Sequence, residues 1–347
     1  MDTYNIYKDI NARTQGEIYI GVVGPVRSGK STFIKHFAEK LILPFMSDGA
    51  GKERTKDELP QSAAGRTVMT TEPKFIPREA CVINPAQDIS MKIRLIDCVG
   101  FMIDGATGVV EDGKERLVKT PWYDYEIPFS EAAEFGTRKV IKDHSTVGIV
   151  MTTDGSIGEL PRDSYKAAEA ATIEELKKIG KPFVVVVNSK NPAAKSAAEC
   201  VDEIKKAYGA EAVSLDCEQL TLDDVNRTLE LLLNSFPING IEFYFDRWIE
   251  TLPDDNEIKQ AMVECAGQIL DRITYIKDFN KDSIKVENKY IEDVRSEPVD
   301  MADGIIRLSF KVDENLYYDM LSSIAGSPAS ASQSAGITGV SHCAQPR

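Results

Sequence analysis

Apolar runs and amphipathic stretches alternate along the first two thirds of the chain. EIYIGVV (17–23) is a short β-rich run, and from Ser28 to Leu43 the apolar positions recur at helical spacing. ACVINP and MKIRLID read as two further strands, and SEAAEFGTRKVIKDH (130–144) as a helix. TVGIVMTT is a buried strand, and SYKAAEAATIEELKKIG (164–180) a helix that Gly180 stops. PFVVVVN is apolar at nearly every position, as a strand covered on both faces requires. A helix near 195–208, the strand AVSL and the helix TLDDVNRTLELLLNSF close the series. Repeated β-α units predict an α/β domain over residues 1–236 with a doubly wound, mostly parallel sheet.

The pattern then changes. Residues 237–324 predict a smaller α+β region: an aromatic strand in PINGIEFYF, a helical stretch to about Asp278, and two or three strands over 284–313, with GIIRLSFKV the clearest by alternation. Residues 325–347, rich in Ser, Ala and Gly and free of acidic residues, are expected to be disordered. That tail also resembles a translated human Alu repeat and is expected to be foreign to the rest.

Composition narrows the function classes. A chain of 347 residues has room for roughly two domains. The net charge of −14, with Lys and Arg scattered, argues against nucleic acid as a partner. Six cysteines without a CxxC pair, and only three histidines, argue against a zinc site. The polar first sixteen residues hold no signal-peptide core, and no apolar run reaches membrane-spanning length, so a cytoplasmic location is expected.

The chemistry centres on GPVRSGKST (24–32). Gly24, Pro25, Val26, Arg27, Ser28, Gly29, Lys30 and Ser31 fit GxxxxGK[ST] between a strand and a helix, with Thr32 next. Such a loop turns its N–H groups inward on a β-phosphate and adds the helix's N-terminal dipole. Pro25 removes one N–H at the first loop position, where a donor is least needed. Lys30 would reach the β- and γ-phosphates, and the Ser31 hydroxyl would ligate Mg²⁺. RLIDCVG ends a strand in Asp97 with Gly100 three residues on. In that DxxG arrangement the carboxylate holds Mg²⁺ through water and the Gly N–H meets a γ-phosphate. The intervening polar segment, DELPQSAAGRTVMTTEPKF (57–75), offers Thr67, Thr70 and Thr71 to close on Mg²⁺ and γ-phosphate, with Glu72 as a candidate to orient water and Arg66 to stabilise charge. At the base, a guanine-specific site would end the strand PFVVVVN in Asn-Lys-x-Asp. Here Asn188 is followed by Ser189, Lys190 and Asn191, so the carboxylate that pairs with guanine N1–H is missing. ATP is the expected nucleotide, and a GTP-dependent regulatory switch that forms no polymer is the alternative.

The blocks IYIGVVGPVRSGKSTF, DELPQSAAGRTVMTTEPKF, RLIDCVGF, TPWYDYEIPFSEAAEFGTRKVI and HSTVGIVMTTDGSIGELPR resemble the stage IV sporulation protein A family over roughly residues 1–324. The resemblance implies a P-loop NTPase of the translation-factor, Ras-like kind that has come to use ATP with Mg²⁺. It implies Lys30, Asp97, Thr70 and Thr71 as the residues that handle and sense the phosphates. It further implies that hydrolysis drives self-assembly into a static polymer, the basement layer of the spore coat. That layer lies in the mother cell at the forespore outer membrane surface. Stage V sporulation protein M and other coat proteins are the implied partners. The family continues past residue 324 into a region that carries this localisation, so the chain is expected to be truncated relative to it.

Overall fold

The computed structural model describes residues 6–47, 49–60, 72–86, 89–103, 105, 110–111, 114–325 and 343–344. Its contacts divide the chain into two units, Met1–Ser235 and Phe236–Arg347.

Among the described residues the central sheet of the first unit has six strands: β1 (Glu17–Val23), β2 (Lys74–Ala86), β3 (Ile89–Asp97), β4 (Val147–Thr153), β5 (Phe183–Asn188) and β6 (Ala212–Leu215). They lie in the order β6-β5-β4-β1-β3-β2, all parallel except β2, which runs antiparallel to β3. Every residue of β4 and β5 is buried, which explains why those strands read as apolar up to their C-terminal ends, where Thr152, Thr153 and Asn188 stand. The expected mostly parallel α/β sheet is therefore present. Its helices are α1 (Ile6–Arg13), α2 (Lys30–Phe37), α3 (Ala50–Glu58), α4 (Phe129–Lys139), α5 (Asp163–Ile179), α6 (Lys195–Tyr208) and α7 (Leu222–Asn234). Gly180 closes α5 in the left-handed region at φ 73°. Thr221 and Asp224 form a reciprocal capping box on α7.

Several details differ from the pattern. The helix expected from Ser28 begins at Lys30, because Gly29 sits at φ 90°, outside helical space. Both it and the helix over 130–144 end in a π turn, Ala38–Ile42 and Val140–His144. Helix α1 has no counterpart in the sequence reading. Only Ile6 and Ile10 are buried there, too few to set a period, and Tyr7 Oη ties it to α7 by donating to Asn226 Oδ1 at 2.6 Å. Helix α3 was likewise illegible, with Thr55 its one buried residue.

In the second unit, β7 (Gly240–Tyr244) pairs in parallel with β9 (Ile305–Val312), which pairs antiparallel with β8 (Ile291–Ser296). The single helical stretch expected to run to Asp278 is broken instead. Arg247–Glu250 stops before Pro253, and Glu257–Arg272 restarts where Asn256 Oδ1 accepts from the Ile258 N–H at 2.9 Å. A further helix, Glu314–Ala325, follows β9. Of the stretch expected to be disordered, Ala325 ends that helix, and Cys343–Ala344 pair antiparallel with β7. Such a pair needs only backbone groups, so no side-chain pattern announces it. The remainder of that stretch lies outside the described residues.

Candidate functional site

Strand β1 has β3 on one side and β4 on the other, so the crevice at its C-terminal end is the point where the sheet's winding reverses. The register puts Val22 of β1 opposite Asp97 of β3. The loop that opens at Gly24 therefore emerges beside the Asp97 carboxylate. Two backbone bonds fasten this loop to the segment after β3: Val26 N–H donates to Phe101 O at 3.0 Å, and Phe101 N–H to Gly24 O at 3.2 Å. Beneath it Val26, Phe101, Ile103, Tyr165 and Ala168 form a buried apolar cluster. Ser28, wholly buried, donates its hydroxyl to Pro25 O at 2.9 Å and tightens the turn.

Helix α2 starts at Lys30, and its first intrahelical bond on the loop side runs from Phe33 N–H to Gly29 O at 2.9 Å. The amides of Lys30, Ser31 and Thr32 thus have no carbonyl four residues back and face the loop at the dipole's positive end. Gly29 is required by packing as well as by φ: a Cβ there would lie 2.1 Å from Asn188 Nδ2. Asn188 is a structural tie. Its Nδ2 donates to Ser28 O at 3.2 Å and its Oδ1 accepts from Cys217 N–H at 3.2 Å, joining the loop to the ends of β5 and β6.

Lys30 is buried, with 5% of its surface exposed. Among the described residues its ammonium donates only to carbonyls, Pro25 O at 2.6 Å and Gly24 O at 3.5 Å. Burial lowers its pKa, opposed by the neighbouring Cys98 and Asp97. Ser31 Oγ donates to Asp97 Oδ2 at 2.7 Å. Asp97 retains some exposure overall, but its Oδ1 is shut off from solvent with no hydrogen-bond partner. Burial raises its pKa, opposed by the Ser31 bond, by Lys30 and Lys74, and by the Cys98 backbone N–H. An orphaned carboxylate oxygen beside a hydroxyl is a donor set for a hard cation such as Mg²⁺, which takes few protein oxygens and keeps phosphates and water as its other ligands.

Gly100, expected to offer its N–H to a γ-phosphate, here donates it to Thr137 Oγ1 of α4 at 3.1 Å. A Cβ at Gly100 (φ 97°) would lie 2.1 Å from Gly24 O and 2.7 Å from Lys30 Nζ, so the backbone passes against the loop. Thr67, Thr70, Thr71 and Arg66 lie outside the described residues. Glu72 is exposed, two residues ahead of β2.

At the expected base site, Ser189 Oγ donates to Asp154 Oδ2 at 2.7 Å and accepts from Asn191 N–H at 3.2 Å. Ser156 Oγ donates to Asp154 Oδ1 at 2.6 Å and accepts from Lys190 N–H at 3.0 Å. The loop after β4 thereby holds residues 188–191 in place. Behind it, Arg162 makes two bonds to the buried Glu169, at 2.6 and 2.9 Å, and one to Thr152 Oγ1 at 3.0 Å. Thr137, Asp154, Arg162 and Glu169 lie outside the nucleotide motifs legible in the sequence. The block HSTVGIVMTTDGSIGELPR contained two of them.

Residues 1–237 match the Stage IV sporulation protein A ATPase domain family, and residues 238–335 the middle domain of the same protein. Stage IV sporulation protein A of Clostridioides difficile (strain 630) is 40% identical over 324 residues, covering 93% of this chain and 66% of that protein. The protein of that name from Bacillus subtilis (strain 168) is 38% identical over 327 residues, covering 94% and 66%. The chain thus spans 66% of the length of these relatives. Among solved structures, an SsGBP–GDP complex is similar at 15% identity and a TM-score of 0.35, covering 62% of this chain and 49% of that one.

Proposed function

The chain belongs to the stage IV sporulation protein A family, and from that premise we propose that it binds and hydrolyses ATP with Mg²⁺. We further propose that hydrolysis drives its self-assembly into a static polymer at the base of the spore coat. The observation that carries the reading is the convergence of the Lys30 ammonium, the Ser31 hydroxyl and the orphaned Asp97 Oδ1 at the mouth of one loop. Lys30 and the first amides of α2 bind and orient the phosphates. Ser31 and Asp97 would hold Mg²⁺, with Thr71 as the further ligand suggested by the sequence. The bound cation would neutralise charge on the β- and γ-phosphate oxygens. Asn191, in place of a carboxylate, supports ATP over GTP. Stage V sporulation protein M and other coat proteins at the forespore surface are the proposed partners of the longer relatives' assembly. Among the described residues no helix is long and apolar enough to cross a membrane.

Sedimentation of the purified chain with ATP, with GTP and with neither, each with Mg²⁺ and a phosphate-release assay, tests choice and assembly together. Pelleting and phosphate release with ATP alone are expected. A GTP preference without pelleting would overturn the proposal in favour of a regulatory switch. The pair Thr70→Ala and Thr71→Ala is expected to leave ATP binding within about twofold of wild type while lowering turnover at least about tenfold. Unchanged phosphate release in that double variant would remove both residues from the mechanism.

A further inference from the structure

The one amide expected to sense a γ-phosphate is occupied within the protein. Gly100 N–H donates to Thr137 Oγ1 at 3.1 Å, across 37 residues of sequence. The Thr137 hydroxyl donates its own proton to Ala133 O, one turn back in α4, at 2.8 Å. Its hydrogen is therefore spent, and toward Gly100 it can act only as an acceptor. Thr137 is fully buried, and Gly100 sits beneath the loop, so no bulk water stands ready to take either place. On both sides of the bond the chain is pinned, by Phe101 N–H on Gly24 O and by the helical packing of Phe129, Ala132, Ala133 and Gly136.

We propose that Thr137 is a positioning residue for γ-phosphate recognition: its hydroxyl is the resting partner of the Gly100 amide, and a nucleoside triphosphate must displace it to capture that N–H. This rests on the reading of Gly100 as the γ-phosphate donor. The exchange replaces one acceptor with another, so triphosphate gains only the difference between them. With a diphosphate the amide stays on Thr137. Thr137 thus sets how strongly the site prefers triphosphate, and it does so without touching the nucleotide.

Removing the hydroxyl has an unusual sign. Thr137→Val keeps the side-chain volume but leaves the buried Gly100 amide with only the weak Cys98 sulfur as an acceptor in the diphosphate state, a cost that the γ-phosphate relieves. A buried donor without a strong partner is penalised by more than a typical hydrogen bond contributes, so the preference for triphosphate should rise about tenfold. The test is equilibrium binding of ADP and of a β,γ-imido ATP analogue to the full chain with Mg²⁺, for wild type, Thr137→Val and Thr137→Ser. The affinity ratio of analogue to ADP is expected to rise in Thr137→Val and return to the wild-type value in Thr137→Ser. A parallel loss of both affinities, or an unchanged ratio, would show a purely structural role and overturn the proposal. If Thr137→Val does not fold, Thr137→Ala gives the same comparison. Equal affinity of the wild type for both nucleotides would overturn the reading of Gly100 itself, and the proposal with it.

Discussion

Lys30→Ala is expected to abolish ATP binding, a loss of roughly a hundredfold to a thousandfold or more, while the nucleotide-free protein remains folded. The size follows from where the charge sits. Lys30 opens α2, is buried, and spends its donors on the carbonyls of Pro25 and Gly24. Its direct partners are neutral carbonyls and the nearest carboxylate is Asp97, so a triphosphate adds the negative charge that this buried ammonium otherwise meets only in part. Truncating one partner of a buried charge pair costs about 2–5 kcal/mol or more in binding. The remaining amides at the start of α2 supply dipoles but no net charge. Removing the ammonium should not destabilise the empty protein through electrostatics, because burial already lowers its pKa. A lysine with a depressed folded pKa binds fewer protons folded than unfolded, so its contribution improves as pH rises and is unfavourable at neutral pH. Lys30→Met, which keeps most of the stem's packing, is therefore expected to melt no lower than wild type. ATP with Mg²⁺ should raise the melting temperature of wild type and leave both variants unmoved. A variant that still responds to ATP would remove Lys30 from phosphate binding.

The parts of this site that the sequence made legible are those whose chemistry is local. GPVRSGKS is one contiguous loop, and its glycines, lysine and serine act within a few residues of one another. Asp97 and Gly100 could be joined to it because a strand-end carboxylate three residues before a glycine has meaning beside such a loop. The register of Val22 with Asp97 then accounts for their meeting. Asn188, at the expected base site, is a candidate nucleotide contact that also ties the fold together, donating to Ser28 O and accepting from Cys217 N–H. That is a contact between the ends of three strands, and no run of residues encodes it. Thr137 is harder still to read. A threonine inside a helix has no pattern that marks it for an amide 37 residues away.

The same division holds for the fold. Strands β4 and β5 are legible because burial on both faces favours apolar residues at nearly every position, with buried polar residues only at their C-terminal ends, Thr152, Thr153 and Asn188. Helices α1 and α3 bury too little to show a period, and tertiary contacts rather than a broad apolar face hold them. The break at Pro253 lies in a stretch whose helical spacing resumes four residues later, and spacing alone bridges such a gap.

Asp97→Asn is expected to lower Mg²⁺-dependent ATP turnover by about two orders of magnitude or more while stabilising the nucleotide-free protein. Stabilisation of phosphate charge by a bound cation is worth several kcal/mol in the transition state, and the amide is a far weaker ligand than the carboxylate. Lys30 is untouched, so nucleotide binding should fall much less than turnover. The stability gain comes from Oδ1, which is buried without a partner, so that burial raises the Asp97 pKa despite Ser31 and Lys30. With the folded pKa above the unfolded one, the folded protein holds the proton more readily. The carboxyl's favourable share is then present below the unfolded pKa and lost as pH rises through the folded value. Asparagine has no such proton to lose. Melting curves without nucleotide should therefore nearly coincide for wild type and Asp97→Asn in acid and separate toward neutral pH, with the variant the more stable. Adding Mg²⁺ and a non-hydrolysable ATP analogue should reverse the order, because only the carboxylate recovers its cost on meeting a cation. An Asn variant that hydrolyses at the wild-type rate would exclude Asp97 from the metal site. One that melts below wild type at neutral pH would show that the carboxylate is satisfied in the empty protein. The paired outcome, lower activity with higher stability, is what a carboxylate held ready for a cation requires.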